Sequence, residues 1–516
     1  MIEPKNIKYG YEKLLTKSMF LKGVQCSKLF WHYCNEKKLF EDESITSQAF
    51  DQGKMAGDYA KKLFANGIEI DWNNGFDNGL HNSAESLKLD KPLFEPGFIF
   101  NQLFCRNDIL LPVSKNRKTE KSHKADKSGD YVFDIIEVKS STNVNEIHIF
   151  DIAFQKYCCE GAGLKIRKCF VMHINNKYER SGELDLDALF IKKDVTKEVD
   201  EIQQATEKLI IELLDMLIQK NAPKIKTGEQ CFAPYQCPLF SEVCNEYAGT
   251  DYSIFQLRKS KKKAQEFANQ GILELADIPD SVKLNKTHKI QVMTARSGKP
   301  HIDGKAISKF LKQLEYPLYI LDFETFSTAV PLFDKLKPYM QVTFQYSLHI
   351  VNKLDKDPAH FEYLASGDGD PRIEILDSLY EHIGNTGSIL AYNMSFEKAR
   401  LKENAAAYPK YKNWVNSILP RFVDLLVPFR SFYYYHPQQK GSASVKAVLP
   451  ALTGLSYSNM AISNGGLASS EYMRIAFTEV DENDKNSVRK NLLDYCKLDT
   501  EGLIFILREL EKLILF

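Results

Sequence analysis

Apolar runs that end in acidic residues set the pattern of the second half of this chain. Leu318-Tyr-Ile-Leu321 predicts a buried strand, and it runs into Asp322-Phe323-Glu324. A second strand-like run leads into Ala391-Tyr-Asn-Met-Ser-Phe-Glu397. Asn491-Leu-Leu-Asp-Tyr495-Cys-Lys-Leu-Asp499-Thr lies near the end of an apolar-periodic segment that predicts a helix. Residues two apart on a strand share a face, as do residues four apart on a helix. Asp322 with Glu324, and Tyr495 with Asp499, are therefore each expected to face one site. In the first half, Cys105-Arg-Asn-Asp108-Ile-Leu-Leu-Pro reads as a strand carrying an acid. A Lys-rich hairpin loop at 115–127 follows, then the strand-like Tyr131-Val-Phe-Asp-Ile-Ile-Glu137-Val-Lys139. Glu137 and Lys139 share a face of that strand and Asp134 falls on the other. Asn143 to Gly163 predicts a helix carrying Gln155.

The acids point to chemistry. Carboxylates are the natural ligands of Mg2+ or Mn2+. Two such ions roughly 3.5–4 Å apart stabilise both the attacking and the leaving oxygen of a phosphodiester displacement. Asp322, Glu324, Glu397 and Asp499 are candidate ligands on this ground.

Their order resembles the DnaQ-like, or DEDD, 3′–5′ exonuclease superfamily, in its tyrosine branch. The resemblance covers residues 316–516. It implies an RNase H-like fold with a mixed five-stranded sheet, acids that hold two metals, and Tyr495 orienting the attacking water. Asn393 and Asp424 resemble supporting positions of the family. The second motif usually ends in Asp and is led by His, where this chain has Glu397 and Tyr392.

Cysteines form a second constellation. Cys26 stands in Gly-Val-Gln-Cys-Ser-Lys-Leu-Phe-Trp, and Cys231, Cys237 and Cys244 share one Pro-containing stretch. The opening Met-Ile-Glu-Pro-Lys-Asn lacks a signal-peptide pattern, so a cytoplasmic chain with reduced thiols is expected. Four such Cys suit an iron–sulfur site, with zinc as the rival. Cys34 is an alternative to Cys26, whereas Cys158, Cys159 and Cys169 read as buried apolar residues.

This half, residues 13–250, resembles the RecB-like branch of the PD-(D/E)XK nucleases. There one Cys precedes the nuclease core and three follow it, holding a four-iron four-sulfur cluster. Cys26, Cys231, Cys237 and Cys244 match that arrangement. The resemblance implies a restriction-endonuclease-like fold with Asp108 and Glu137 on a metal and with Glu137, Lys139 and Gln155 as catalytic positions. The family's early His is missing from Gly53–Ala60, and Tyr157 follows Gln155 sooner than the family's Tyr does.

Between the two halves, residues 251–315 show short helical periods broken by Gly271 and Pro279, and resemble a small helical connector. Its Arg258–Lys263 run reads as a solvated helix face, with a phosphate contact as the alternative. At 516 residues with 44% hydrophobic and 26% charged positions, a chain of two or three globular domains is expected. Net charge is zero, so nucleic acid must be held by local basic patches and metals. No apolar run reaches the length of a membrane span. The class expected is thus α/β, and the activity a metal-dependent nuclease acting on DNA. An RNA exonuclease, or a binding protein with a degenerate first domain, are the alternatives.

Overall fold

The structure is a computed structural model and describes residues 14–40, 44–113, 132–244 and 252–515. It is of mixed α/β class and divides into two compact units. The first comprises Met1–Asn245 with Thr328–Tyr339, the second Glu246–Ser327 with Met340–Phe516. Two boundaries differ from expectation. Residues 252–315 belong to the second unit instead of standing apart as a connector. Thr328–Tyr339 belongs to the first unit because its groups are satisfied there. Gln52 accepts from the Ala329 N–H, and Arg180 donates to the carbonyls of Pro331 and Leu332. Ala329 and Val330 pack with Ile109, Ile136 and Met172 in one apolar core.

The first unit is built on a six-stranded mixed sheet. Its strands lie in sequence order: Ile68–Glu69, Leu93–Phe94, Ile109–Val113, Val132–Lys139, Lys165–Ile174 and Phe190–Asp194. Val132–Lys139 runs antiparallel to Ile109–Val113 and parallel to Lys165–Ile174. The parallel pair needs a crossover, which helix Glu146–Gly161 supplies. That helix starts later than Asn143, because Asn145 is extended and its N–H donates to Nδ1 of His148. Both faces of the sheet are covered. Ile135 joins the core that holds Cys158, Cys159 and Cys169, and Ile136 joins the core on the other side. This is why the central strand reads as an almost continuous apolar run.

The second unit is built on a mixed five-stranded sheet, ordered Ala359–Leu364, Val342–Val351, Leu318–Phe326, Ile389–Ala391, Phe422–Asp424. The first three strands are antiparallel neighbours, and the last two run parallel to Leu318–Phe326. Tyr319, Leu321 and Phe323 enter a core with helices Arg372–His382 and Ser395–Ala407. The alternate residues face helix Glu482–Ile514: Gln345, opposite Glu324, donates to the Leu492 carbonyl, and Ser347, opposite Asp322, meets Thr500. Residues 252–297 add a small core of their own around Ile254, Phe267 and Val292. Among the described residues, no helix is long and apolar enough to cross a membrane.

Candidate active site and cysteine site

In the second unit, three elements bring the acids together. Strand Leu318–Phe326 delivers Asp322 and Glu324, the first turn of helix Ser395–Ala407 delivers Glu397, and helix Glu482–Ile514 delivers Tyr495 and Asp499. All five line one cavity of about 320 Å³ with Tyr392, Lys446 and Gly465. Among the described residues, the one group of three ligand atoms mutually within 4.8 Å is Asp322, Glu324 and Asp499. The long helix continues well past Asp499, so Tyr495 and Asp499 sit at its middle and not near its end. Leu503, Ile506, Leu507 and Leu510 anchor this second half in the core.

The electrostatics are those of carboxylates gathered out of water. Burial, then Asp499, Glu324 and Glu397, pushes Asp322 well above the usual carboxylate range. Burial and Asp499 carry Glu324 up to about 8, burial carries Glu397 up to about 8, and Asp499 rises to about 6. Like charges gathered out of water cannot all ionise without a positive partner. Oε2 of Glu397 is buried and has no hydrogen-bond partner among the described residues, although such an oxygen is costly to leave unpaired. An acceptor-only donor set with an orphaned oxygen fits Mg2+ or Mn2+.

Two supporting residues act on the loop before Glu397. Asn393 adopts φ 72°, a left-handed conformation that Asn tolerates better than most residues. Its N–H donates to Oδ1 of Asp424, which also accepts from the Leu426 N–H. Asp424 thereby pins the turn that aims Glu397. Sequence reasoning missed two further side chains. The Tyr457 hydroxyl donates to Oδ1 of Asp499 at 2.7 Å, and Lys446 stands on the cavity wall. Neither carries a local motif; each comes from a segment folded over the site.

In the first unit, Asp108, Glu137, Lys139 and Gln155 do meet, together with Lys17 and Asp151. Oε1 of Glu137 accepts from Lys139 at 2.6 Å and from Lys17 at 2.8 Å, and Oε2 accepts from Gln155 at 2.7 Å. Asp151 accepts from Lys139 and Gln155, with Lys17 at 3.6 Å. Burial alone would raise Glu137, but the two ammonium groups hold it far below its usual range. Burial and then Glu137 push Asp108 up to about 7, and its Oδ2 accepts from the Val138 N–H. Each oxygen of Glu137 and Asp151 already has a donor. This set does not fit a metal as arranged, since an ion must first displace Lys17. Asp151 was legible in principle, being four residues before Gln155 on the same helix face; Lys17 was not.

A prediction follows from that pairing. In a chain carrying Asp322→Asn and Asp499→Asn, Mn2+ binding measured by electron paramagnetic resonance should be absent. Adding Lys17→Met should create one site that Glu137→Gln removes. Mn2+ bound before Lys17 is touched, and lost on Glu137→Gln, would show the first site open to metal.

Asp134 lies apart from these residues and pairs with Arg167. Tyr157 donates to Glu207. Of the Arg258–Lys263 run, Lys259, Lys261 and Lys262 are exposed, whereas Arg258 is half-buried: it donates to the Phe429 carbonyl and stands 5.2 Å from the Phe432 ring centre. The 115–127 loop lies outside the described residues.

Cys26, Cys231, Cys237 and Cys244 line one small cavity. Cys34 does not join them; it packs against the main core of the unit. Cys26 ends helix Lys17–Gln25 and begins helix Ser27–Asn35. Its neighbour Gln25 holds the three-Cys segment in place, donating to the carbonyls of Gln230 at 2.9 Å and Tyr235 at 2.7 Å. Burial pushes the Cys237 thiol up to about 11. Cys158 and Cys159 are buried in the core beside Cys105.

Comparison with known proteins adds similarities but no activity. A domain of unknown function, DUF2779, matches residues 319–444, the part that holds Asp322, Glu324 and Glu397. Among curated proteins, the chain is 28% identical over 258 residues to the uncharacterized protein MG366 homolog of Mycoplasma pneumoniae, covering 46% of this chain and 38% of that one. It is 27% identical over 252 residues to uncharacterized protein MG366 of Mycoplasma genitalium, covering 45% and 38%. With uncharacterized protein UU173 of Ureaplasma parvum it shares 24% identity over 386 residues, 66% of this chain and 55% of that one. The chain thus matches little more than a third of the first two relatives' length.

Proposed function

We propose that the second unit is a metal-dependent 3′–5′ exonuclease of RNase H-like, DEDD type, acting on DNA. The observation that carries this reading is the approach of Asp322, Glu324 and Asp499 within 4.8 Å, with Tyr495 one helical turn from Asp499 on the same cavity. Asp322, Glu324, Glu397 and Asp499 would hold Mg2+ or Mn2+. Bound there, the ions supply Lewis-acid stabilisation of the attacking and leaving oxygens. The chain's own residues do the rest. Asp424 and Asn393 fix the turn that aims Glu397. Tyr457 holds Asp499 in one orientation through its hydroxyl. Burial keeps the Tyr495 hydroxyl protonated far above neutral pH, so it orients water and does not act as a base.

For the first unit, the reading is a RecB-like fold whose four cysteines hold an iron–sulfur cluster. Those four cysteines line one small cavity. Four thiolates on one cavity suit a multi-iron cluster, with a tetrahedral zinc as the rival that metal analysis separates. The paired state of Glu137 and Asp151 favours a unit that binds and presents nucleic acid over a second cutting site.

The test is digestion of end-labelled single-stranded DNA, duplex DNA and RNA in Mn2+. A ladder shortening from the 3′ end of DNA is expected, and faster loss of RNA would reassign the substrate. Tyr495→Phe should lower kcat by about 10- to 100-fold, the scale of one lost orienting contact, while Mn2+ affinity stays at the parent value. A matching loss of Mn2+ affinity would make Tyr495 part of the metal site instead.

A further inference from the structure

Among the described residues, Lys446 is the one cation lining the cavity that holds the four acids. It lies in the first turn of helix Val445–Thr453, and one of its N–H groups donates to the Ser463 carbonyl at 2.7 Å. The ammonium stands 5.2 Å from the Tyr495 ring centre and 5.6 Å from that of Tyr457. It is thus fixed from three sides by a carbonyl and two aromatic faces, each of which favours a cation. Its charge interacts with Asp499, Glu324 and Asp322, yet among the described residues it makes no ion pair with any of them. An ammonium has three donors, so two remain for whatever enters the cavity.

The contrast with the first unit is informative. There Lys17 and Lys139 bond directly to carboxylates and neutralise them. Lys446 is instead held off the acids by Ser463, on the side of Tyr495. Once cations sit on the acids, the cavity must also accept an anion, and an ammonium beside the water-orienting Tyr is placed to meet it.

Resting on the exonuclease reading above, we infer that Lys446 contacts the phosphate of the terminal nucleotide through Nζ, so that it is a substrate-binding residue of this site. Phosphate recognition by Lys is that of a point charge and needs no fixed fork. Arg should therefore replace it in part, whereas Met should not.

The experiment uses the full chain, with Lys446→Met and Lys446→Arg. Hydrolysis of a labelled oligonucleotide in Mn2+ gives KM and kcat separately, and titration with thymidine 5′-monophosphate in Mn2+ gives Kd for the product. A charge-assisted bond corresponds to roughly 10- to 100-fold in affinity. Lys446→Met should raise both KM and the monophosphate Kd by that factor, leave Mn2+ affinity unchanged or tighter, and be largely rescued by Arg. Parent values of KM and Kd in Lys446→Met overturn the inference. So does a loss of Mn2+ affinity as large as the rise in KM, because Lys446 would then organise the metals. A parent chain that degrades no strand sinks the nuclease reading by itself. The Lys446 contact is then decided by monophosphate binding alone, and a parent chain that binds no monophosphate overturns it too.

Discussion

Asp322→Asn and Asp499→Asn should each abolish 3′–5′ degradation while leaving the fold intact or firmer. Both side chains offer oxygens to the tight group of three, and neither packs the core. Mutating residues that merely support a metal ligand costs about 10- to 100-fold, so loss of a ligand itself is expected to exceed about 100-fold. Stability should move the other way. In a chelator, burial raises all four carboxylates, and neighbouring acids raise Asp322 and Glu324 further, so removing Asp322 relieves repulsion in the folded state. Asp322→Asn should therefore melt above the parent in chelator, by roughly 2–4 °C per kcal/mol relieved. Mn2+ should raise the parent's melting temperature and barely move the variant's, because only a folded state that binds the ion is stabilised. A variant that digests a 3′-labelled strand as fast as the parent overturns the assignment. One that melts lower in chelator shows that Asp322 serves the fold.

The second large effect concerns the cysteines. Anaerobically purified protein should be brown, with broad visible absorption and about four irons per chain. Cys231→Ala, Cys237→Ala and Cys244→Ala should each bleach it. Each should also lower the first unit's melting temperature, because a cluster on these cysteines would tie the segment at Cys26 to one far along the chain. A cross-link of that kind contributes about 2–4 kcal/mol, or roughly 5–15 °C in a domain of this size. Cys158→Ala should keep the colour, since its thiol is in the apolar core beside Cys105. Colourless protein with stoichiometric zinc would replace the cluster and keep the ligands. Colour retained in Cys26→Ala and lost in Cys34→Ala would move the first ligand to Cys34, against its place in the core.

The elements that position the candidate site were legible because their periods are short. Asp322-x-Glu324 on a strand and Tyr495-x-x-x-Asp499 on a helix specify a shared face with no knowledge of the fold. The same holds for Glu137-x-Lys139. Lys17 and Lys446 gave no such signal. A lone Lys beside a Thr or a Val looks like any solvated charge, and only chain paths through space bring each to its partners. Asp151 was within reach of helical spacing, on a helix that is buried on that side.

The chain by itself thus determined the α/β class, the strands and helices that carry the acids, and the separation of Cys26, Cys231, Cys237 and Cys244 from the core residues Cys158, Cys159 and Cys169. Those follow from local periodicity and residue chemistry. Only the tertiary structure decided that residues 252–315 belong to the second unit and Thr328–Tyr339 to the first, because those choices rest on non-local hydrogen bonds and shared cores. It also decided how alike the two acidic sites are in charge. In the first, ammonium groups from distant segments bond to the carboxylates; in the second, the Lys446 ammonium bonds to the Ser463 carbonyl instead of to the acids. That difference is one of distance between side chains far apart in sequence, which no local pattern encodes.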